Sequence, residues 1–202
     1  KKDPQTISLK NVVVGKNYAP VISTTGGLWR YLLGDTIQFT TIFPFRIKVS
    51  GRLKHYINAF GEEVIVENSD RAIAMAAEKT GAVIVDYTAA PLYFTKENNG
   101  GHEWLIEFEK KPLHLDAFAF ELDNALRSIN SDYDAKRYKD IALRQLIVRP
   151  LPVGTFTQWL SSKGKLGGQH KIPRLSNQRD YLEQLIGMQK EKTCRQKMRF
   201  IL

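Results

Sequence analysis

The apolar positions follow a period close to two in the first third of the chain. β-branched residues and partial alternation predict strands over Tyr18–Thr24, Thr36–Ile42 and Phe45–Gly51, with glycines between them. This part has too few elements to close a core alone. We therefore expect it to be the β-rich end of something larger.

Helical spacing begins after Gly61. Asn68–Asp70 is a typical N-cap cluster, and Gly81 supplies a stop signal for the helix between them. Further helices are predicted over Leu115–Ile129 and Thr155–Lys163. The apolar stripe of the second helix is predicted to be core and comprises Leu115, Phe118, Leu122, Ala125, Leu126 and Ile129.

Strands are predicted between these helices, over residues 82–94, 102–109 and 144–151. The order of elements from Phe45 onward is therefore strand, helix, strand, strand, helix, strand, helix. This order indicates an α+β fold, in which a mainly antiparallel sheet carries helices on one face.

The change in pattern near Arg52 to Lys54 suggests a domain boundary. We predict a β-rich part over residues 1–53, an α+β domain over 54–187 and a basic tail over 188–202.

The charge and composition of the chain limit the partners and the cellular compartment that we expect. The 202 residues carry a formal charge of +9, and the pI near 9.6 allows an anionic partner without choosing one. No apolar stretch approaches the roughly 20 residues of a membrane helix, so no membrane partner is expected. Cys194 is the only cysteine, which excludes an internal disulfide and favours a reducing cytoplasm. Nucleic acid remains a less favoured partner of the basic segments.

The first candidate motif is Gly26–Asp35, which reads GGLWRYLLGD. Its glycines would let the backbone approach a ligand, and Trp29 and Tyr31 offer flat faces. A carboxylate at the position of Asp35 could accept hydrogen bonds from the two hydroxyls of a ribose. The alternative is a simple hairpin turn with its aromatic rings packed inside.

The second motif is Val49–Val64, where Arg52 follows a glycine and Lys54 and His55 add further cations. Arg52 could hold ribose or phosphate oxygens through charge-assisted hydrogen bonds. The alternative is a basic hairpin exposed to solvent.

The third motif is Gly164–Leu175, a glycine-rich loop that carries Lys171 and closes with a proline and an arginine. It lacks the pattern of a phosphate-binding P-loop. A glycine arm with one lysine suits transient delivery of charge to a phosphoryl oxygen. A flexible basic loop without chemistry is equally compatible with the spacing.

In this order the three motifs resemble the auxin-responsive Gretchen Hagen family of acyl-acid amido synthetases, a branch of the adenylate-forming enzymes. The resemblance covers residues 17–185 and is closest to the C-terminal portion of bacterial members. It implies a β-rich remnant of the large N-terminal domain followed by a mobile C-terminal lid domain.

The resemblance also implies residue roles. Asp35 would hold the ribose of ATP, with Tyr31 and Arg30 close to the nucleotide and Arg52 in contact with it. Lys54 would be the hinge about which the C-terminal domain turns. Lys171 would be the mobile lysine that reaches the α-phosphate and the carboxylate during adenylation. No residue of this chain is expected to bind a metal, and Mg is expected to be held mostly by the missing domain.

The implied reaction has two steps. A small carboxylic acid attacks the α-phosphate of ATP, which releases pyrophosphate and leaves an acyl-adenylate. An amino acid's amine then attacks this mixed anhydride to give an amide and AMP. Neither the phosphate loop nor the nucleotide motif of the family's large domain matches this sequence, so we expect the segment to need that missing N-terminal domain as its partner. The alternative is a non-catalytic module that binds a nucleotide or a protein partner.

Overall fold

The computed structural model describes residues 5–52, 55–94, 100–140, 142–164 and 171–199, and it describes residue 52 and residues 191–199 by their backbone. The chain forms two compact units, Lys1–Lys54 and His55–Leu202. The predicted basic tail and its boundary at 188 stay predictions.

The first unit consists of short strands around one long hairpin. Its elements are a 3-10 turn at Leu9–Asn11 and the strands β1 (Asn17–Tyr18), β2 (Val21–Ile22), β3 (Tyr31–Leu32), β4 (Asp35–Ile42) and β5 (Phe45–Arg52). One antiparallel sheet has the order β1-β4-β5, and β2 pairs with β3 in a second. Phe39 is buried between the rings of Tyr18 and Phe45, whose centroids both lie 5.9 Å from its own.

The predicted strand at Tyr18–Thr24 is split into β1 and β2. Pro20 lies between the two and has no backbone N–H to donate to a ladder. The predicted strands at Thr36–Ile42 and Phe45–Gly51 are both present and pair with each other as β4 and β5.

In its described residues the second unit combines a three-stranded sheet and a two-stranded hairpin with five α-helices. Its elements are β6 (Tyr56–Ile57), β7 (Val64–Ile65), α1 (Val66–Thr80), β8 (Val83–Leu92), β9 (Gly101–Lys110), α2 (Leu115–Ile129), α3 (Ser131–Arg137), a 3-10 turn at Tyr138–Asp140, β10 (Ile147–Leu151), α4 (Thr155–Ser162) and α5 (Asp180–Arg199). Strand β9 is central in the order β10-β9-β8, antiparallel to β8 and parallel to β10.

Successive residues of β9 point to opposite faces of this sheet, and helices cover both. Trp104 and Phe108 join the larger core cluster with Phe118 of α2 and Ala72 of α1. On the other face, Leu105 belongs to a second cluster formed mainly by α4 and α5. The buried members of that cluster are Ala90, Leu105, Leu151, Phe156, Trp159, Ile172, Leu182 and Leu185.

The predicted α+β class with a mainly antiparallel sheet is confirmed, and the structure adds a second helical layer to the single one that was expected. The predicted stripe of α2 contributes to the larger cluster, with Phe118, Leu122, Ala125 and Leu126 buried and Leu115 and Ile129 packed against it.

Helix α1 begins before the predicted N-cap cluster. Asn68 and Ser69 lie in its first turn, where the Asn68 side chain accepts a hydrogen bond from the backbone N–H of Ile65 at 3.1 Å. Asn68 therefore caps the helix from position N3, and its residue type made it resemble an N-cap residue in the sequence. Gly81 ends the helix with φ of 65°, as predicted.

Two buried carboxylates reinforce this unit. Glu62 lies 2.9 Å from Nε2 of His102, and both side chains are fully buried. Glu107 accepts hydrogen bonds from the backbone N–H groups of Gly154 and Phe156 at the start of α4. The first links the β6–β7 hairpin to β9, and the second fixes the N-terminus of α4 on the sheet.

Candidate active site

Asp35 and Arg52 occupy paired positions at the open end of the β4–β5 hairpin. Asp35 is half-buried and follows Gly34, whose φ of 85° favours glycine. Residues directly opposite on an antiparallel pair have Cβ atoms about 5 Å apart on one face of the sheet. The fold therefore brings together two candidate residues that the sequence placed in separate motifs.

Arg30 and Tyr31 lie in the hairpin just before β4. The backbone N–H of Arg30 donates to Oγ of Ser23 at 3.0 Å, and its φ of 47° lies in the left-handed region. Trp29 is 81% exposed and Tyr31 is 49% exposed. The motif is thus a hairpin, but its aromatic rings are exposed and not packed inside.

Lys54, the predicted hinge, lies outside the described residues. The segment that follows it forms the β6–β7 hairpin, in which Ile57 and Val64 are buried. Its turn is closed by Glu62, whose carboxylate accepts from the backbone N–H groups of Ala59 and Phe60 at 3.2 and 2.7 Å. This part of the second motif is a packed turn.

Lys171 is exposed and comes directly before a segment that is fixed to the sheet. Ala89 of β8 donates its N–H to the carbonyl of Arg174 at 2.8 Å, and the N–H of Ser176 donates to the carbonyl of Ala89 at 3.1 Å. The hydroxyl of Thr88 donates to the carbonyl of Pro173 at 2.7 Å. The rest of the glycine loop, residues 165–170, lies outside the described residues.

Asp86 of β8 lies on the sheet near this segment. Burial raises the pKa of the Asp86 carboxyl above its usual value, and the positive charges of Arg174 and Lys171 oppose that rise. The Lys171 charge is therefore close enough to act on Asp86. Asp86 carries no motif in the sequence, and only the pairing of distant segments reveals this neighbourhood.

The described part of the chain holds neither a metal-binding cluster nor a membrane-spanning helix. No group of three or more His, Cys, Asp or Glu side chains there could hold a metal ion. None of the helices in that part combines the length and the apolar character that a bilayer span requires.

The fold is similar to parts of two solved enzyme structures. It superposes on the structure of the acyl acid amido synthetase GH3.15 with a TM-score of 0.69 and 20% identity, over 90% of this chain and 34% of that one. It also superposes on a 2-hydroxyisobutyryl-CoA ligase in the postadenylation state, with a TM-score of 0.51 and 13% identity, over 89% of this chain and 36% of that one.

Two segments of the sequence match domains of one protein family. The GH3 family C-terminal domain matches residues 67–180, and the GH3 family central domain matches residues 1–52. The chain belongs to the GH3 family, and the resemblance to the Gretchen Hagen enzymes is confirmed.

Curated relatives include the indole-3-acetic acid-amido synthetase GH3.3 of Arabidopsis thaliana, 26% identical over 84% of this chain and 30% of that protein. The 4-substituted benzoates-glutamate ligase GH3.12 of the same plant is 25% identical over 83% of this chain and 32% of that protein. The chain thus spans about 30% of the length of these relatives. Both are plant proteins, so the predicted closeness to bacterial members stays a prediction.

Proposed function

We propose that this chain is the C-terminal part of an ATP-dependent acyl-acid amido synthetase. Its whole protein would adenylate a small carboxylic acid and join it to an amino acid through an amide bond. The family supports this reaction class, since the relatives are named as amido synthetases of indole-3-acetic acid or as a ligase of benzoates with glutamate. The observation that carries the proposal is the pairing of Asp35 with Arg52 in the part that matches the central domain.

The first unit would contact the nucleotide. A carboxylate at Asp35 accepts hydrogen bonds from neighbouring ribose hydroxyls, and a guanidinium at position 52 donates to ribose or phosphate oxygens. The exposed ring of Tyr31 and the adjacent Arg30 would line the same site. This donor and acceptor set fits a nucleotide, and ATP would supply an activated adenylyl group with pyrophosphate as the leaving group.

The second unit would supply the charge for adenylation. The exposed ammonium of Lys171 would donate to the oxygens of the α-phosphate and of the carboxylate as negative charge builds up between them. Rotation about Lys54 would then withdraw Lys171, so that the amine can enter, as lid movements do in other enzymes.

The chain would need the large domain that its relatives carry beyond the matched third of their length, and Mg would be held mostly there. The protein would be cytoplasmic, since a single cysteine fits a reducing compartment.

The experiment is acid-dependent exchange of pyrophosphate into ATP, measured with the complete encoded protein and a panel of aryl and indole carboxylic acids. Exchange that requires one of these acids supports an adenylating enzyme. Calorimetry with AMP distinguishes this enzyme from a non-catalytic nucleotide-binding module. Such a module would bind AMP but would show no exchange with any acid.

A further inference from the structure

The backbone just after Lys171 is held in place on both sides. Ile172 and Leu175 are buried in the two different core clusters, with exposed fractions of 5% and 0%. The backbone bonds of Arg174 and Ser176 to Ala89 add this segment to the edge of β8 as a short parallel bridge. Lys171 is therefore the residue that directly precedes a fixed segment.

The side chain of Arg174 connects that segment to a helix and a strand. Its Nη1 lies 2.6 Å from each carboxylate oxygen of Asp70 in α1. Its guanidinium stands over the ring of Tyr87 in β8, 5.3 Å from the centroid. The Tyr87 hydroxyl also donates to Asp70, and Oγ of Ser69 lies 2.7 Å from that hydroxyl.

The pKa of the Tyr87 hydroxyl is raised in this arrangement. Burial raises its pKa far above the usual value, and the hydrogen bond to Asp70 raises it further. It thus remains a donor, and Asp70 accepts from both Tyr87 and Arg174. Nε of Arg174 also lies 3.9 Å from a carboxylate oxygen of Asp86, the group on which the Lys171 charge acts.

We propose that Arg174 is a positioning residue that fixes the base of the Lys171 arm through its ion pair with Asp70 and its stacking on Tyr87. This inference rests on the proposed function, since it requires Lys171 to act in adenylation. Arg174 would not touch the substrate. Its role would be to set where the Lys171 backbone begins.

The physical reason is the length of the lysine side chain. A lysine has about 2 kcal/mol of rotamer entropy, so a mobile base would add further freedom that must be lost each time the ammonium reaches a phosphate. A misplacement of about 1 Å can lower a rate by about a hundredfold. When the backbone at the start of the arm is fixed, only the freedom of the lysine side chain has to be lost.

A purely structural role for the same contacts gives a different result. If the ion pair only stabilised the fold, its loss would lower the rates of both reaction steps by the same factor. If the ion pair positions Lys171, its loss should lower the rate of adenylation and leave the rate of amide formation unchanged, because Lys171 is withdrawn during that second step.

The test uses the complete encoded protein with the variants Arg174→Ala and Asp70→Asn, which remove the pair from either side. Pyrophosphate exchange measures the first step, and amide formation from a supplied acyl-adenylate measures the second. Arg127→Ala is the matched control, because the exposed Arg127–Asp134 pair has the same separation of 2.6 Å and similar exposure on α2 and α3.

We expect exchange to fall about tenfold in both pair variants, with the second step within about twofold of the parent. Arg174→Ala should cause no further loss in a Lys171→Ala background, since the two residues act as a unit. Unchanged exchange, an equal loss in both steps, or an additive loss would overturn the inference. Full exchange in Lys171→Ala alone would instead overturn the role proposed for Lys171, and a parent protein that shows no exchange with any acid would overturn the proposed function.

Discussion

Asp35 and Arg52 are paired across the antiparallel strands β4 and β5, at the end of the hairpin that is remote from its turn at Phe43–Pro44. Each residue was singled out in its own motif. Their backbone pairing places an acidic and a basic residue at the same end of one hairpin. A site built on paired strands holds its geometry better than one built on two separate loops.

The first prediction concerns the carboxylate of Asp35. Asp35→Asn in the complete encoded protein should raise the KM for ATP about tenfold, because a hydrogen bond to a charged group contributes about 1.5 to 3 kcal/mol. Steady-state kinetics at varied ATP would measure this. Asp116→Asn, an exposed aspartate in the first turn of α2, is the control and should leave the KM unchanged. An equal KM in the parent and Asp35→Asn would exclude Asp35 from the nucleotide site.

The second prediction concerns pH and the buried Glu62–His102 pair. Burial alone would raise the pKa of Glu62, but the hydrogen bond and charge of His102 and the backbone N–H groups outweigh it, so the pKa is lowered. A carboxyl with a lowered folded-state pKa stabilises the protein above its unfolded-state pKa, and this contribution disappears as pH falls through the folded-state value.

Glu62→Gln should therefore lower the free energy of unfolding by about 2 kcal/mol at neutral pH, and the difference from the parent should shrink below about pH 4.5. Urea unfolding at a series of pH values would measure it. The control is Glu63→Gln, which removes the same charge from the exposed neighbour. A difference that does not change with pH would show that Glu62 contributes by packing alone.

The third prediction concerns the N-terminus of α4. Glu107→Gln should lower the free energy of unfolding by about 1 kcal/mol, since a carboxylate at a helix N-terminus accepts from free N–H groups and interacts favourably with the helix dipole. Thermal or urea unfolding would measure this loss against Glu109→Gln, an exposed glutamate on the same strand. Equal stability of the two variants would contradict a capping role.

Local sequence patterns predicted the elements that rest on local physics. The stripe of α2, the stop at Gly81 and the pairing-competent strands β4 and β5 all follow from periodicity and backbone preference. Helix α3 was missed because its seven residues offer little more than charge. Helix α5 (Asp180–Arg199) begins before residue 188, where only a basic tail was predicted.

The neighbourhood of Lys171 depended on contacts that no local pattern encodes. Arg174 and Asp70 are separated by 104 residues, and each alone resembles an ordinary surface charge. Asp86 lies in a strand whose alternation predicts only that it faces one side of the sheet. The motif around Lys171 was visible in the sequence, whereas the residues that fix its base were not.

The central claim is that Lys171 delivers charge during adenylation. Its most direct test is acid-dependent pyrophosphate exchange by the complete encoded protein carrying Lys171→Ala, compared with the parent and with Lys111→Ala, another exposed lysine. Loss of one preorganised charge should lower exchange by about a hundredfold or more, with Lys111→Ala at the parent rate. Exchange at the parent rate in Lys171→Ala, with every acid that the parent accepts, would contradict the claim.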